Sequence, residues 1–407
     1  MSGNGPPLRI AILAETYLPY LSGVTVSTEA LARGLGAAGH DVLLVAPRPG
    51  GDAAPGTAGA VGPEPAYAWL PSMALPIAPP GYRVPVPIPG GAWRAARAFR
   101  PDVVHAQSPF TSGLAARRLA RRLGVPLVFT HHTRFGDYAH YLGPLARPGG
   151  AAAGSWLRAF WAGCDAVVAP GTDLGREIQA RLPASARTVV RVIPTGVDAD
   201  GIRTLTARDP RVEAGWRTGV PVAIALGRLA PEKCVDDVLE AVAGVAGLHL
   251  AIVGDGPSTD ALRRRAAEPD LAERTWFAGR RPRPEALALL AGSDLFVVAS
   301  RTETQGLVVA EALASGVPVV AVDAPGVRDA VSDGIDGLLV PADPLAGRAG
   351  RMAAALRGLV ADPDRRRALA AAAEAGAERL AQPARIAEVV ALYRELIARR
   401  SSAPPSA

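Results

Sequence analysis

An α/β protein made of two doubly wound, Rossmann-like domains is what this sequence predicts, on three observations. The chain runs to 407 residues, long for one domain, and is 49% apolar and 20% charged, a globular composition. Short apolar runs rich in β-formers alternate with helical stretches, as in parallel sheets covered on both faces. That alternation stops near residues 195–200 and then begins again.

The first cycle opens with strand 8–15 (LRIAILAE), helix 27–40 (STEALARGLGAAGH) and strand 41–47 (DVLLVAP). Gly34-Leu35-Gly36-Ala37-Ala38-Gly39 fits G-x-G-x-x-G but falls at a helix end before the second strand. A dinucleotide fingerprint must follow the first strand, so the match is rejected. The loop after strand one is TYLPYLSGVT, where Gly23 would let a ligand come close to the backbone. Residues 47–89, rich in Pro, Gly and Ala, are expected to form an irregular excursion. Three further strands follow: PDVVHAQ (101–107), VPLVFTHH (125–132) and CDAVVAPG (164–171). Four of the six histidines lie between His105 and His140, and THHTRFGDYAHYLG directly follows a strand. An imidazole at such a strand end can hydrogen-bond a ligand or stabilise developing charge.

The expected domains are 1–196 and 197–381, facing across a cleft. A C-terminal helix within 382–407 is expected to pack back on the first domain, ahead of a disordered tail.

The second cycle runs through VPVAIALGRLAPEK (220–233), LHLAIVGDGP (248–257), TWFAG (275–279) and SDLFVVAS (293–300). A polar turn then leads into a helix from about Gln305 to Ser315, ended by Gly316 and Pro318, and into strand 317–322. At the helix opening the free amides of Gly306, Leu307 and Val308 would favour a phosphate. Glu303 precedes this helix and Glu311 lies two turns in, roughly 10–12 Å away. That separation suits a ligand with a hydroxyl-bearing sugar at each end and a diphosphate between. Glu311 stands within the apolar run LVVAEALA, where a carboxylate needs partners. Arg228 and Lys233 follow the first strand of the second cycle, at the edge where open α/β sheets bind ligands. Two cations and a helix tip can neutralise a leaving diphosphate without a metal. Lys233 is the only lysine among 44 basic residues, and a compact ammonium against a phosphate is one reason to keep it. Backbone groups at Arg280 are placed to read a base.

Charge divides unevenly. Residues 1–198 carry 18 basic against 11 acidic side chains, and residues 199–407 carry 26 against 27. An anionic partner is therefore expected for the first half only, and no nucleic-acid motif accompanies the charge. Cys164 and Cys234 have neither metal-ligand nor redox spacing, which fits a reduced, cytoplasmic protein. No apolar signal core opens the chain, and the prolines between Pro65 and Tyr82 exclude a spanning helix there. Asp198-Ala199-Asp200 and Asp362-Pro363-Asp364 fit D-x-D, but neither closes a strand beside the phosphate site, and Asp364 is expected to cap a helix. No bound metal or cofactor is expected to be required.

G-R-L-x-P-E-K (227–233) followed by E-T-Q-G-L-V-V-x-E-A (303–312) resembles the retaining GT-B glycosyltransferases with the E-x7-E motif, family 4-like. The likeness extends from the Gly23 loop through PTGVD at the domain junction to Glu311. It implies that Arg228 and Lys233 hold the donor diphosphate, that Glu303 faces the donor sugar, and that Glu311 binds the ribose. Cys234 stands where the family usually has Gly. The T-x-H-T pattern implies a sugar-contacting role for His132 rather than His131. H-T-x-F-x-D-Y-x-H-Y resembles the bacterial subgroup that glycosylates diacylglycerol, which would put Asp137 and Tyr138 on the acceptor side. UDP-glucose or UDP-galactose is the favoured donor, and GDP-mannose the alternative. A sugar-nucleotide 2-epimerase and a non-catalytic sugar-nucleotide sensor are more distant readings. The basic face RRLARR (117–122) and the aromatics Trp156, Phe160 and Trp161 suit peripheral attachment to the anionic inner face of a membrane.

Overall fold

The structure, a computed structural model, describes residues 5–50, 62–74, 81–86, 90–134 and 146–402. The chain divides into two units, one formed by residues 1–196 with 382–407 and the other by Val197–Ala381.

In the first unit the strands are β1 (Arg9–Leu13), β2 (Asp41–Pro47), β3 (Ala66–Leu70), the short pair β4 (Ser72–Ala74) and β5 (Arg83–Pro85), β6 (Val103–Ala106), β7 (Leu127–Thr130), β8 (Ala166–Ala169) and β9 (Val189–Val192). Among the described residues seven of these form one sheet in the order β3-β2-β1-β6-β7-β8-β9, all parallel. Side-chain alternation along β1 serves both faces. Ile10 and Ile12 join one buried cluster, and Ala11 and Leu13 join another. Helices cover both: α1 (Gly23–Ala37), α2 (Gly91–Ala98), α3 (Thr111–Leu123), α4 (Ala146–Ala162) and α5 (Thr172–Arg181).

Within residues 47–89 the described parts are more regular than their composition suggests. AYAWL (66–70) pairs in parallel with β2, and β4 and β5 pair antiparallel. Tyr67 and Trp69 stack with ring centroids 4.9 Å apart. Helix α1 also begins at Gly23, four residues before the expected start, because the Ser22 hydroxyl accepts the Thr25 amide as an N-cap.

The second unit carries α6 (Ala199–Arg203), α7 (Pro210–Ala214), β10 (Val222–Leu226), α8 (Val235–Ala243), β11 (His249–Val253), α9 (Thr259–Ala266), β12 (Thr275–Gly279), α10 (Arg283–Ala291), β13 (Leu295–Val298), α11 (Leu307–Ala314), β14 (Val319–Asp323), β15 (Gly337–Pro341), α12 (Arg348–Ala361) and α13 (Pro363–Gly376). Its six described strands run β12-β11-β10-β13-β14-β15, which is the doubly wound order with its switch between β10 and β13.

The last helix, α14 (Gln382–Ser401), belongs to the first unit. Ile386, Val389, Val390, Tyr393 and Leu396 join the cluster under β1 and α1. A Cβ on Gly34 would lie 2.7 Å from Ile386 Cδ1, so the rejected glycine pattern keeps α1 slim where α14 crosses it. Asp362, not Asp364, caps α13: its Oδ1 accepts the Arg365 amide at 2.9 Å, and Pro363 occupies the first helical position. Asp364 pairs with Arg367 instead.

Candidate active site

The switch between β10 and β13 brings two loops of the second unit together. The loop after β10 carries Arg228 and Lys233, and the loop after β13 carries Glu303 and leads into α11. Their meeting point is an ion pair, Lys233 Nζ to Glu303 Oε1 at 2.6 Å, with both side chains partly buried. Burial pushes the Glu303 carboxyl up more than any other single cause, but the Lys233 charge and the hydrogen bonds from Lys233 and Ser300 together outweigh it and hold the group below the usual carboxylate range. Arg228 is exposed on the same loop.

Gly306 caps α11 at φ 69 and ψ 54, a left-handed conformation that costs glycine nothing. Val309 and Ala310 both donate to Gly306 O, so the amides of Leu307 and Val308 head the open first turn. The carboxylate loop is held from behind by Gly326. A Cβ there would lie 2.7 Å from Glu303 O and from Gln305 N. That wall was not read from the sequence; only the backbone contact reveals it.

Glu311 is 5% exposed, between Ala310 and Ala312 in the apolar core. Its partner is Arg283, the first residue of α10, whose Nη2 bonds Glu311 Oε1. The sequence signalled that Glu311 needed a partner but not which residue supplied it. Arg280, expected to present backbone groups, is exposed at the end of β12.

In the first unit the histidine segment resolves into separate roles. His105 is buried between Tyr393 OH (2.6 Å from Nδ1) and Thr130 Oγ1 (2.7 Å from Nε2). His131 is buried beneath Trp161, whose indole N–H donates to Nδ1 at 3.2 Å. His132 keeps partial exposure, and its Nε2 bonds Gln107 Oε1 at 2.7 Å. An amide oxygen only accepts, so Nε2 carries the proton. Desolvation holds His105 and His131 down at about 3 and His132 at about 4. At neutral pH His132 is therefore an uncharged hydrogen-bonding group rather than a cation. Gly23, at the start of α1, is exposed, and a Cβ there would meet nothing within 4 Å. Asp137, Tyr138 and His140 lie outside the described residues.

These histidines predict an acid-sensitive fold. The unfolded chain protonates each near 6.5, while the folded form resists until far lower pH. Stability is thus complete above 6.5 and is lost as pH falls below it. Between pH 7.5 and 5.5, buried His105 and His131 together should cost about 2–3 kcal/mol. Urea titrations at the two pH values check this, and equal midpoints would contradict it.

Residues 21–200 match a family described as Glycosyltransferase Family 4, and residues 208–376 match Glycosyl transferases group 1. A GDP-mannose-dependent alpha-mannosyltransferase of Mycobacterium tuberculosis is 35% identical over 341 residues, covering 82% of this chain and 84% of that one. The chain is a family 4 glycosyltransferase. An alpha-monoglucosyldiacylglycerol synthase of Streptococcus pneumoniae is 29% identical, over 88% of this chain and 79% of its own. Among solved structures, Anabaena HepE in complex with UDP superposes with a TM-score of 0.71 at 18% identity, over 96% of this chain and all of the other. The two parallel-sheet units of this glycosyltransferase are those of the GT-B fold, and the enzyme is a hexosyltransferase.

Two features of the membrane expectation change. Phe160 and Trp161 are 1% and 2% exposed and pack under α3, so they are core residues. Gly113 makes room for Phe160, whose Cζ would lie 2.9 Å from any Cβ there. Phe110, Leu114 and Trp156 are exposed, as are Arg118, Arg121 and Arg122 on α3. Among the described residues no helix is long and apolar enough to cross a membrane.

Proposed function

We propose that this enzyme transfers a hexose, with retention at the anomeric carbon, from a nucleoside diphosphate sugar to a hydroxyl of a membrane lipid such as diacylglycerol. The observation that carries this reading is the Lys233–Glu303 pair at the switch point, beside the open first turn of α11. Lys233 and Arg228 would take the diphosphate together with the α11 amides, and Glu303, released from Lys233, would accept hydrogen bonds from sugar hydroxyls. The acceptor oxygen attacks C1 on the face from which the diphosphate leaves. The C1–O bond to phosphate breaks, and the acceptor proton passes to the departing phosphate oxygen. No side chain need act as nucleophile, and no resident metal is needed. His132 would serve as a neutral hydrogen-bonding group towards the sugar.

Relatives support two donors. The Mycobacterium tuberculosis protein is named for GDP-mannose, and the Streptococcus pneumoniae protein for a glucosyldiacylglycerol product. A thermal-shift panel of UDP-glucose, UDP-galactose and GDP-mannose, followed by mass spectrometry of products formed with diacylglycerol, tests the reading. One donor should raise the melting temperature and yield a product one hexose heavier. Stabilisation without turnover on any acceptor would instead favour a sensor.

The exposed face of α3 with Trp156 of the adjacent α4 is proposed to touch anionic lipid. The enzyme should sediment with anionic vesicles at low salt, and charge reversal at Arg118 and Arg121 should weaken binding about 5-fold or more per site. An enzyme left in the supernatant would overturn the proposal.

A further inference from the structure

We propose that Arg283 is the positioning residue through which the enzyme recognises the ribose of its donor: it holds the Glu311 side chain in place and aimed, without itself touching the nucleotide. This rests on the reading of the second unit as a nucleoside diphosphate sugar site.

Glu311 is almost wholly buried, with Val309, Ala310, Ala312 and Leu313 around it each 1% exposed or less. A carboxylate there is tolerated when a fixed cation bonds it, and removing such a cation leaves a stranded charge. The three arginines of the turn after β12 have distinct placements. Arg280 is exposed. Arg281 is tied back to Ala278 O at 3.0 Å and approaches Glu213 and Glu285. Arg283 alone of these three is paired with Glu311. Its position is fixed at the backbone, between Pro282, the N-cap of α10, and Pro284 in the first turn.

The bond is made to Oε1. That leaves Oε2 as the oxygen to receive a ribose hydroxyl, and the guanidinium plane sets its direction. The ligand class this implies is a ribonucleoside diphosphate in preference to its 2′- or 3′-deoxy counterparts. A site built to accept a hydroxyl loses a buried partner when that hydroxyl is absent.

The test is a double-mutant cycle on Arg283→Gln and Glu311→Gln, read by calorimetry with the ribo and deoxy forms of whichever nucleoside diphosphate binds the wild-type enzyme. Arg283→Gln should weaken ribonucleotide binding about 10- to 100-fold and raise the donor KM with kcat nearly unchanged. The preference for the ribo form should collapse towards unity. Arg283→Lys should restore part of it. In the Glu311→Gln background, which carries no stranded charge and keeps the proposal testable if the single variant folds poorly, Arg283→Gln should add nothing. A further loss of fivefold or more in that background would show Arg283 contacting the ligand and overturn the proposal. So would a ribo preference unchanged in Arg283→Gln. If no nucleoside diphosphate binds the wild-type enzyme, it is the donor-site reading that fails.

Discussion

Lys233→Ala is expected to lower kcat/KM about 10- to 100-fold while leaving the fold intact, since a charged hydrogen bond is worth about 1.5–3 kcal/mol. Its side chain is 27% exposed and ends in the ion pair with Glu303, so the melting temperature is followed alongside the kinetics. Two effects add on the catalytic side. On the proposed reading the diphosphate loses a point charge that an exposed Arg228 does not replace, and Glu303 loses the cation that helps hold its carboxyl below the usual range against burial. The second effect has its own signature. With Lys233 gone, the Glu303 carboxyl should titrate higher, so the variant should lose further activity on mild acidification where the wild type does not. Kinetics at two pH values, with the melting temperature as a control, separate the contributions. Wild-type turnover in the variant would make the lysine incidental.

Gly254→Ala should act on stability instead, and severely. The loops after β10, β11 and β12 are laced by backbone bonds: Gly227 N to Val253 O at 3.0 Å, Leu229 N to Asp255 O at 3.0 Å, and Gly254 N to Gly279 O at 2.9 Å. This lacing brings the Gly254 Cα so close that a Cβ would sit 1.8 Å from Gly227 O, at a φ of 146. Overpacking of rigid backbone and an unfavourable dihedral together should cost about 3–5 kcal/mol. Gly247→Ala is the matched control. It also has positive φ, but a Cβ there meets nothing within 4 Å, so it should cost only about 1–2 kcal/mol. Urea unfolding of the two variants gives the difference, and equal losses would show that the close approach relaxes freely.

The sheets were legible because each central strand is an unbroken apolar run, and parallel strands buried on both faces need little else. The α11 tip and the Lys233 loop were legible because glycine and charge stand out against such runs. Strand β3 was not, since AYAWL sits among prolines and alanines and gains its place only by pairing with β2. The N-cap of α13 was misplaced by two residues because Asp362 and Asp364 are chemically alike and only Pro363 decides between them. Arg283 was invisible for a different reason. Its role depends on where α10 lies against α11, 28 positions along the chain from Glu311, and no local pattern encodes that pairing. The histidines divide the same way: their density pointed to chemistry, yet Tyr393 and Trp161 make two of them structural.

Helix α14 has a consequence for how the molecule comes into being. Gln382 Nε2 bonds Ala30 O across 352 positions, and Tyr393 meets His105 across 288. During synthesis the earlier-made unit must therefore wait, with its apolar floor uncovered, until α14 leaves the ribosome. The contiguous middle segment can fold beforehand. The half made first is finished last, and a nascent chain stalled before Gln382 would expose that floor to chaperones or to aggregation.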